Sequence, residues 1–133
     1  MKPLAELFLN KVLQSLAGAQ REFAVAAYDK TANRCYYACY QAAVALLIEI
    51  DQFGPLSERH DHDEFWAKLS AQAIRQRKIV RSEYAQRVQE LLSLRRVADY
   101  SETSVNQRKA QRVSDLAREF CADAERYLRK AGL

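Results

Sequence analysis

Thr31-Ala-Asn-Arg-Cys-Tyr-Tyr-Ala-Cys-Tyr-Gln-Ala-Ala-Val-Ala-Leu-Leu-Ile-Glu-Ile50 is the stretch that decides the fold. Fifteen of its twenty residues are hydrophobic, and neither Gly nor Pro interrupts it. It is too long for an ordinary strand, and its apolar residues go nearly all round a helix. Such a helix is buried by neighbours on several sides, so residues 31–50 are expected to be the central helix of a bundle. Its longest apolar stretch, Cys35 to Ile48, is broken by Gln41 and bounded by Arg34 and Glu49, too short for the roughly 20 apolar residues that cross a bilayer. Phe53-Gly54-Pro55 is expected to end it.

Amphipathic segments lie on both sides. Residues 4–27 place Leu9, Val12, Leu13, Leu16, Phe23 and Ala27 at helical spacing, with Gly18 as the weak point. Tyr28-Asp29-Lys30 reads as the junction, with Asp29 able to cap the central helix. Asp61 and Glu64 resemble a capping box opening a third helix that carries Phe65, Trp66, Leu69, Ala73 and Ile74. Ser82 can cap a fourth, with Tyr84, Val88, Leu91, Leu92 and Ala98 on one face and a break at Asp99-Tyr100-Ser101. Ser104-Val-Asn-Gln107 is a second capping-box pattern. It opens a last helix with Val113, Leu116, Ala117, Phe120, Cys121, Ala124, Tyr127 and Leu128 on one side. The expectation is an all-α, single-domain bundle of about five helices spanning residues 1–133.

Composition agrees. With 133 residues, 3 Gly and 2 Pro, the chain has room for one core but little turn chemistry for a β-sandwich or barrel. At 49% hydrophobic and 29% charged it is not a disordered segment. Three cysteines cannot all pair within the chain, and the mixed segment after Met1-Lys-Pro, with Glu6, Asn10 and Lys11, does not read as a secretory leader. Reduced thiols in a cytoplasmic protein are expected. Cys35 and Cys39, four apart on the central helix, read as small buried apolar residues.

The formal net charge is +4, unevenly placed. From Arg75 to Arg96, seven basic residues face only Glu83 and Glu90, a net of +5. From Asp51 to Glu64, five acids face Arg59, a net of −4. A basic stretch can neutralise phosphates, although a solvated helix face is the commoner reading. Arg95 is the most informative position. It lies three, four and seven residues after Leu92, Leu91 and Val88, so it shares their apolar face and must find an anion or reach solvent. Asp99 at i+4 is its local candidate partner, and Arg34 is a second cation on the central helix. His60 and His62 beside Asp61 and Asp63 read as a solvated cap rather than metal ligands, because i, i+2 spacing does not share a helical face. Tyr36, Tyr37 and Tyr40 are candidates for stacking bases, but core positions at this spacing are commoner. No phosphate-binding Gly-rich loop, nucleophile elbow or zinc-finger spacing occurs.

Ala32-Asn-Arg-Cys-Tyr-Tyr-Ala38, followed about sixty residues later by Leu94-Arg-Arg-Val-Ala-Asp-Tyr100, resembles the HEPN domain, in its small stand-alone prokaryotic branch. The resemblance covers nearly the whole chain. It implies an up-and-down four-helix core and often a homodimer. Many such domains are metal-independent ribonucleases, frequently toxins paired with a nucleotidyltransferase antitoxin or parts of defence systems. Their nuclease motif is Arg, four to six residues, then His; here Arg95 matches the Arg, and Tyr100 stands where the His belongs. Histidine titrates near neutrality, whereas tyrosine, with a pKa of about 10, is a poor general base. The resemblance thus implies Arg95, Asp99 and Tyr100 as the catalytic set and Arg34, Arg96 and Tyr37 as contacts to RNA or nucleotide, with no metal and no cofactor. The alternative is a non-catalytic interaction module that dimerises and docks a nucleotidyltransferase-type partner. Nothing in the chain implies a membrane.

Overall fold

A computed structural model describes residues 1–51, 62–71, 81–100 and 104–131. They form five helices: α1 (Pro3–Ala24), α2 (Tyr28–Glu49), α3 (His62–Leu69), α4 (Tyr84–Tyr100) and α5 (Gln107–Ala131). There is no strand among the described residues. Side-chain pairs fix the helix directions. Lys2, at the start of α1, bonds Glu49 through its backbone N–H (2.8 Å) and forms an ion pair with Asp51, so α1 and α2 are antiparallel. Arg81 with Asp123, Arg87 with Glu119 and Glu90 with Arg112 run α4 and α5 in opposite senses. Asp29 with Val105 and Cys35 with Ser114 make α2 and α5 parallel. An up-and-down four-helix core results, with α3 laid against α2.

The central position of α2 follows from its composition. Ala32, Cys35, Tyr36, Ala38, Cys39, the run Ala42–Leu47 and Thr31 are all buried, and α2 packs against α1, α4 and α5. Many of these residues are small, which lets three helices approach one axis at close-packed density. The apolar stripe of α5 is buried as its spacing predicts, from Ala110 to Leu128, with Tyr127 at the edge. On α3, Phe65, Trp66 and Leu69 are buried. The Phe65 ring lies 4.7 Å from Tyr40 and Trp66 sits edge-on to Tyr36, fastening α3 to α2.

The helix ends differ from expectation in informative ways. α1 stops at Ala24, not at 27. The Ala27 N–H bonds the Glu22 carbonyl and the Ala26 N–H bonds the Phe23 carbonyl, with Ala26 left-handed at φ 60°. This is a Schellman turn with alanine in the position that glycine usually takes. Asp29 does not cap α2: it lies inside the first turn, and its carboxylate accepts the Val105 N–H at 2.7 Å, tying the approach to α5 onto α2. α2 ends at Glu49, ahead of Phe53-Gly54-Pro55, with Asp51 left-handed at φ 59°. That tripeptide, the Asp61–Glu64 box, Ala73 and Ile74 lie outside the described residues or their side chains. Glu83 rather than Ser82 precedes α4, where its carbonyl takes the first helical bond from Arg87. The helix then runs through Asp99 and Tyr100 instead of breaking there. Asn106 rather than Ser104 caps α5, its Oδ1 accepting the Lys109 N–H at 2.8 Å. Leu13 is 43% exposed, off the buried face of α1.

Candidate functional site

Arg95 projects from the inner side of α4, one turn beyond buried Leu91 and Leu92, toward α2. Its guanidinium carbon lies 4.5 Å from the centroid of the Tyr36 ring and 5.8 Å from that of Tyr37. A cation over an aromatic face is held by the ring quadrupole, worth about 0.5–2 kcal/mol according to solvent exposure. Tyr36 makes a firm seat. It is fully buried, Trp66 Nε1 donates to its hydroxyl at 3.4 Å, and Tyr40 stacks 6.3 Å away. Burial raises the Tyr36 phenol above its usual range, and this outweighs the Trp66 hydrogen bond and the Arg95 charge, both of which lower it. Tyr36 therefore stays neutral at physiological pH. It positions Arg95 and is not itself a base.

Of the residues expected around Arg95, Arg96 follows it on the exposed side of α4. Asp99 and Tyr100 lie in the last turn of α4, but their side chains are outside the described residues, as are His60 and the side chain of His62. Arg34 does not sit with Arg95. Positions 34 and 36 are about 200° apart around a helix, so they face different neighbours. Arg34 turns to α1, where its Nε lies 3.6 Å from Glu22 Oε1 and its side chain crosses Gly18. Gly18 is thus no mere weak point of α1: a Cβ there would come within 2.9 Å of Arg34 Cδ and 3.0 Å of Nη1.

Tyr37 links the two regions. At 41% exposure it meets Arg95, and it also lines a cavity of about 400 Å³ between α1 and α2. Ser15 and Glu22 of α1 and Lys30, Asn33, Arg34 and Gln41 of α2 complete the lining. Gln41 lies with its NH2 within reach of Ser15 Oγ (2.8 Å) and of the Lys11 and Tyr37 carbonyls (3.2 and 3.3 Å). Oδ1 of Asn33 is buried with no hydrogen-bond partner. Sequence reasoning missed this groove, although its signal was present: polar residues at 30, 33, 34, 37 and 41 form one stripe at helical spacing on an otherwise apolar helix.

The basic stretch from Arg75 to Arg96 contributes less free charge than its count suggests. Arg81 pairs with Asp123 (3.1 Å), Glu83 (3.1 Å) and Glu119 (3.7 Å), and Arg87 with Glu119 (2.8 Å). Tyr84, between these two guanidiniums, donates its hydroxyl to Asp123 at 3.1 Å. Both arginines therefore brace α4 against α5, while Arg75, Arg77 and Lys78 lie outside the described residues. The part of the stretch that meets the conspicuous tyrosines is its end, at Arg95.

The thiols are inert by position. Cys35, Cys39 and Cys121 are all buried and reduced. Burial pushes the Cys35 thiol up to about 12. A hydrogen bond with Cys121, with burial second, raises Cys39 well above the thiol range, an α2–α5 pairing that the sequence did not suggest.

Compared with known families, residues 5–127 match the family model described as the HEPN domain, which is nearly the whole chain. No curated protein matches the sequence. Among the described residues, no helix is long and apolar enough to cross a membrane.

Proposed function

The chain belongs to the HEPN domain family, and from that premise we propose that it binds single-stranded RNA, gripping backbone phosphate with Arg95 at the α2–α4 face. On this reading it is one partner of a prokaryotic toxin–antitoxin or defence pair. The supporting observation is the seating of Arg95: a guanidinium laid on buried Tyr36 and beside exposed Tyr37. Arginine held over an aromatic ring loses little further freedom when it takes a phosphate, and its fork matches two phosphate oxygens. Arg96 adds a cation on the same turn and Tyr37 an aromatic surface, the pairing of charge and stacking that unpaired RNA calls for. Cleavage would need a proton acceptor for the ribose 2′-hydroxyl. Asp99 and Tyr100 follow Arg95 on α4 in the family's motif, and with tyrosine in place of histidine we expect cleavage to be slow or absent at neutral pH.

The same seating favours one other reading, in which Arg95 fastens α4 to α2 within a non-catalytic module that dimerises and docks a nucleotidyltransferase-type protein. Arg95→Ala separates the two. The RNA reading expects affinity for a labelled single-stranded oligoribonucleotide to fall at least tenfold with the melting temperature little changed, and metal chelation to leave binding intact. A loss of several degrees in melting temperature, with no RNA bound by the parent protein, would support the module. Incubating the parent protein with RNA in EDTA measures cleavage directly.

A further inference from the structure

We propose that the groove between α1 and α2 receives one unpaired nucleotide of a single-stranded RNA, its base stacked on Tyr37 and its phosphodiester against Lys30 and Arg34. The proposal rests on the RNA-binding reading of the Arg95 face and extends it to a second, adjoining subsite. Three observations carry it. Tyr37 is the shared residue: its ring centroid lies 5.8 Å from the Arg95 guanidinium carbon and Tyr37 also lines the groove, so a strand held at Arg95 would find a stacking surface next to it. The cavity, about 400 Å³, falls at the small end of the range of about 300–1,000 Å³ typical of ligand sites, a size for one nucleotide rather than a duplex. The charges on its walls are Lys30 and Arg34 against Glu22, a net of +1, with Glu22 engaged to Arg34. That balance suits the single negative charge of a phosphodiester and not the several charges of a nucleoside triphosphate.

Asn33 supplies the edge contact. A carboxamide oxygen that is buried without a donor costs stability that a bound group can recover. Turning the carboxamide about its last torsion presents an acceptor and a donor side by side, the pattern by which asparagine reads a base edge. Gly18 leaves room for the Arg34 side chain against α1.

The experiment measures binding of a short fluorescent oligoribonucleotide to the parent protein, Tyr37→Ala, Tyr37→Phe and Lys30→Ala, with oligonucleotides carrying one abasic residue at successive positions. The expected result is that Tyr37→Ala weakens binding about tenfold, as loss of a stacked base does, while Tyr37→Phe retains it. One abasic position should weaken the parent to the same extent, and at that position Tyr37→Ala should cost nothing more. Lys30→Ala should lower the slope of log affinity against log salt by about one. If Arg95→Ala weakens binding but Tyr37→Ala and every abasic position leave it unchanged, the groove proposal is wrong and the Arg95 reading stands. If free ATP displaces the RNA far better than AMP, the groove is a triphosphate site and the proposal is overturned. If the parent binds no RNA, both readings fall together.

Discussion

Gly18 looks like a defect in α1 until Arg34 is placed over it. On helix propensity alone, alanine there would add up to about 1 kcal/mol. The three atoms nearest the new Cβ all belong to the Arg34 side chain, which can swing away, and the half-exposed ion pair to Glu22 that this breaks is worth about 0–1 kcal/mol. Gly18→Ala is therefore expected to melt at the parent temperature or up to about 3–5 °C above it, while losing RNA affinity because Arg34 leaves the groove. Circular dichroism melting beside a binding titration checks both halves; a drop of several degrees would mean that the contact is rigid packing and not a flexible side chain. Arg95 teaches a related lesson. Its apolar neighbours at i−3 and i−4 showed in the sequence that it pointed inward, but its seat is an aromatic face on another helix. Periodicity relates residues within one helix and says nothing of the ring opposite, so Tyr36 could not be read from α4 alone; the Asp99 side chain lies outside the described residues.

The helix ends record where local chemistry and tertiary contact compete. Ala26 sits left-handed in the α1–α2 turn, at an expected cost of about 1–2 kcal/mol relative to an unstrained residue. Its two Schellman hydrogen bonds and the Phe23–Tyr28 ring contact at 5.5 Å hold it there. Ala26→Gly is expected to stabilise the protein by about 1 kcal/mol, less than the full strain because glycine also frees the unfolded chain. A higher urea midpoint at unchanged slope would bear this out, and an unchanged or lower midpoint would refute it. The capping expectations at Asp29, Ser82 and Ser104 failed for two reasons. Ser and Asn are interchangeable as capping types, so the sequence offered Ser104 where the chain uses Asn106, whereas α2 and α4 start after Ala27 and Glu83, which capping preference does not single out. Asp29 was claimed instead by a backbone N–H seventy-six residues away, a demand that only the assembled bundle makes.

Across the whole bundle, ionisable groups placed in the core tie stability to alkaline pH. Cys35, Cys39, Tyr36, Tyr40 and Tyr84 all hold their protons more tightly folded than unfolded, Cys39 chiefly through Cys121 and the others chiefly through burial. Their contribution is fully present below the unfolded-state values, about 9 for thiols and 10 for phenols. It declines as the pH rises past them. For Cys35 the decline runs from pH 9 to its folded value of about 12, at about 1.4 kcal/mol per pH unit. The urea midpoint is expected to be lower at pH 10.5 than at pH 7.5, and equal midpoints would contradict the burial of these groups.

Fold class, helix number and the central place of α2 were legible in the chain because hydrophobic periodicity encodes which side of a helix avoids water, and a helix apolar all round admits only an interior position. Rotational phase between helices is not encoded that way. It arises from packing α1, α3, α4 and α5 around α2 at once, and it alone sorts three tyrosines at most four residues apart: Tyr36 into the core as the seat of Arg95, Tyr40 half-buried against Phe65, and Tyr37 to the surface, beside Arg95 and on the α1–α2 groove.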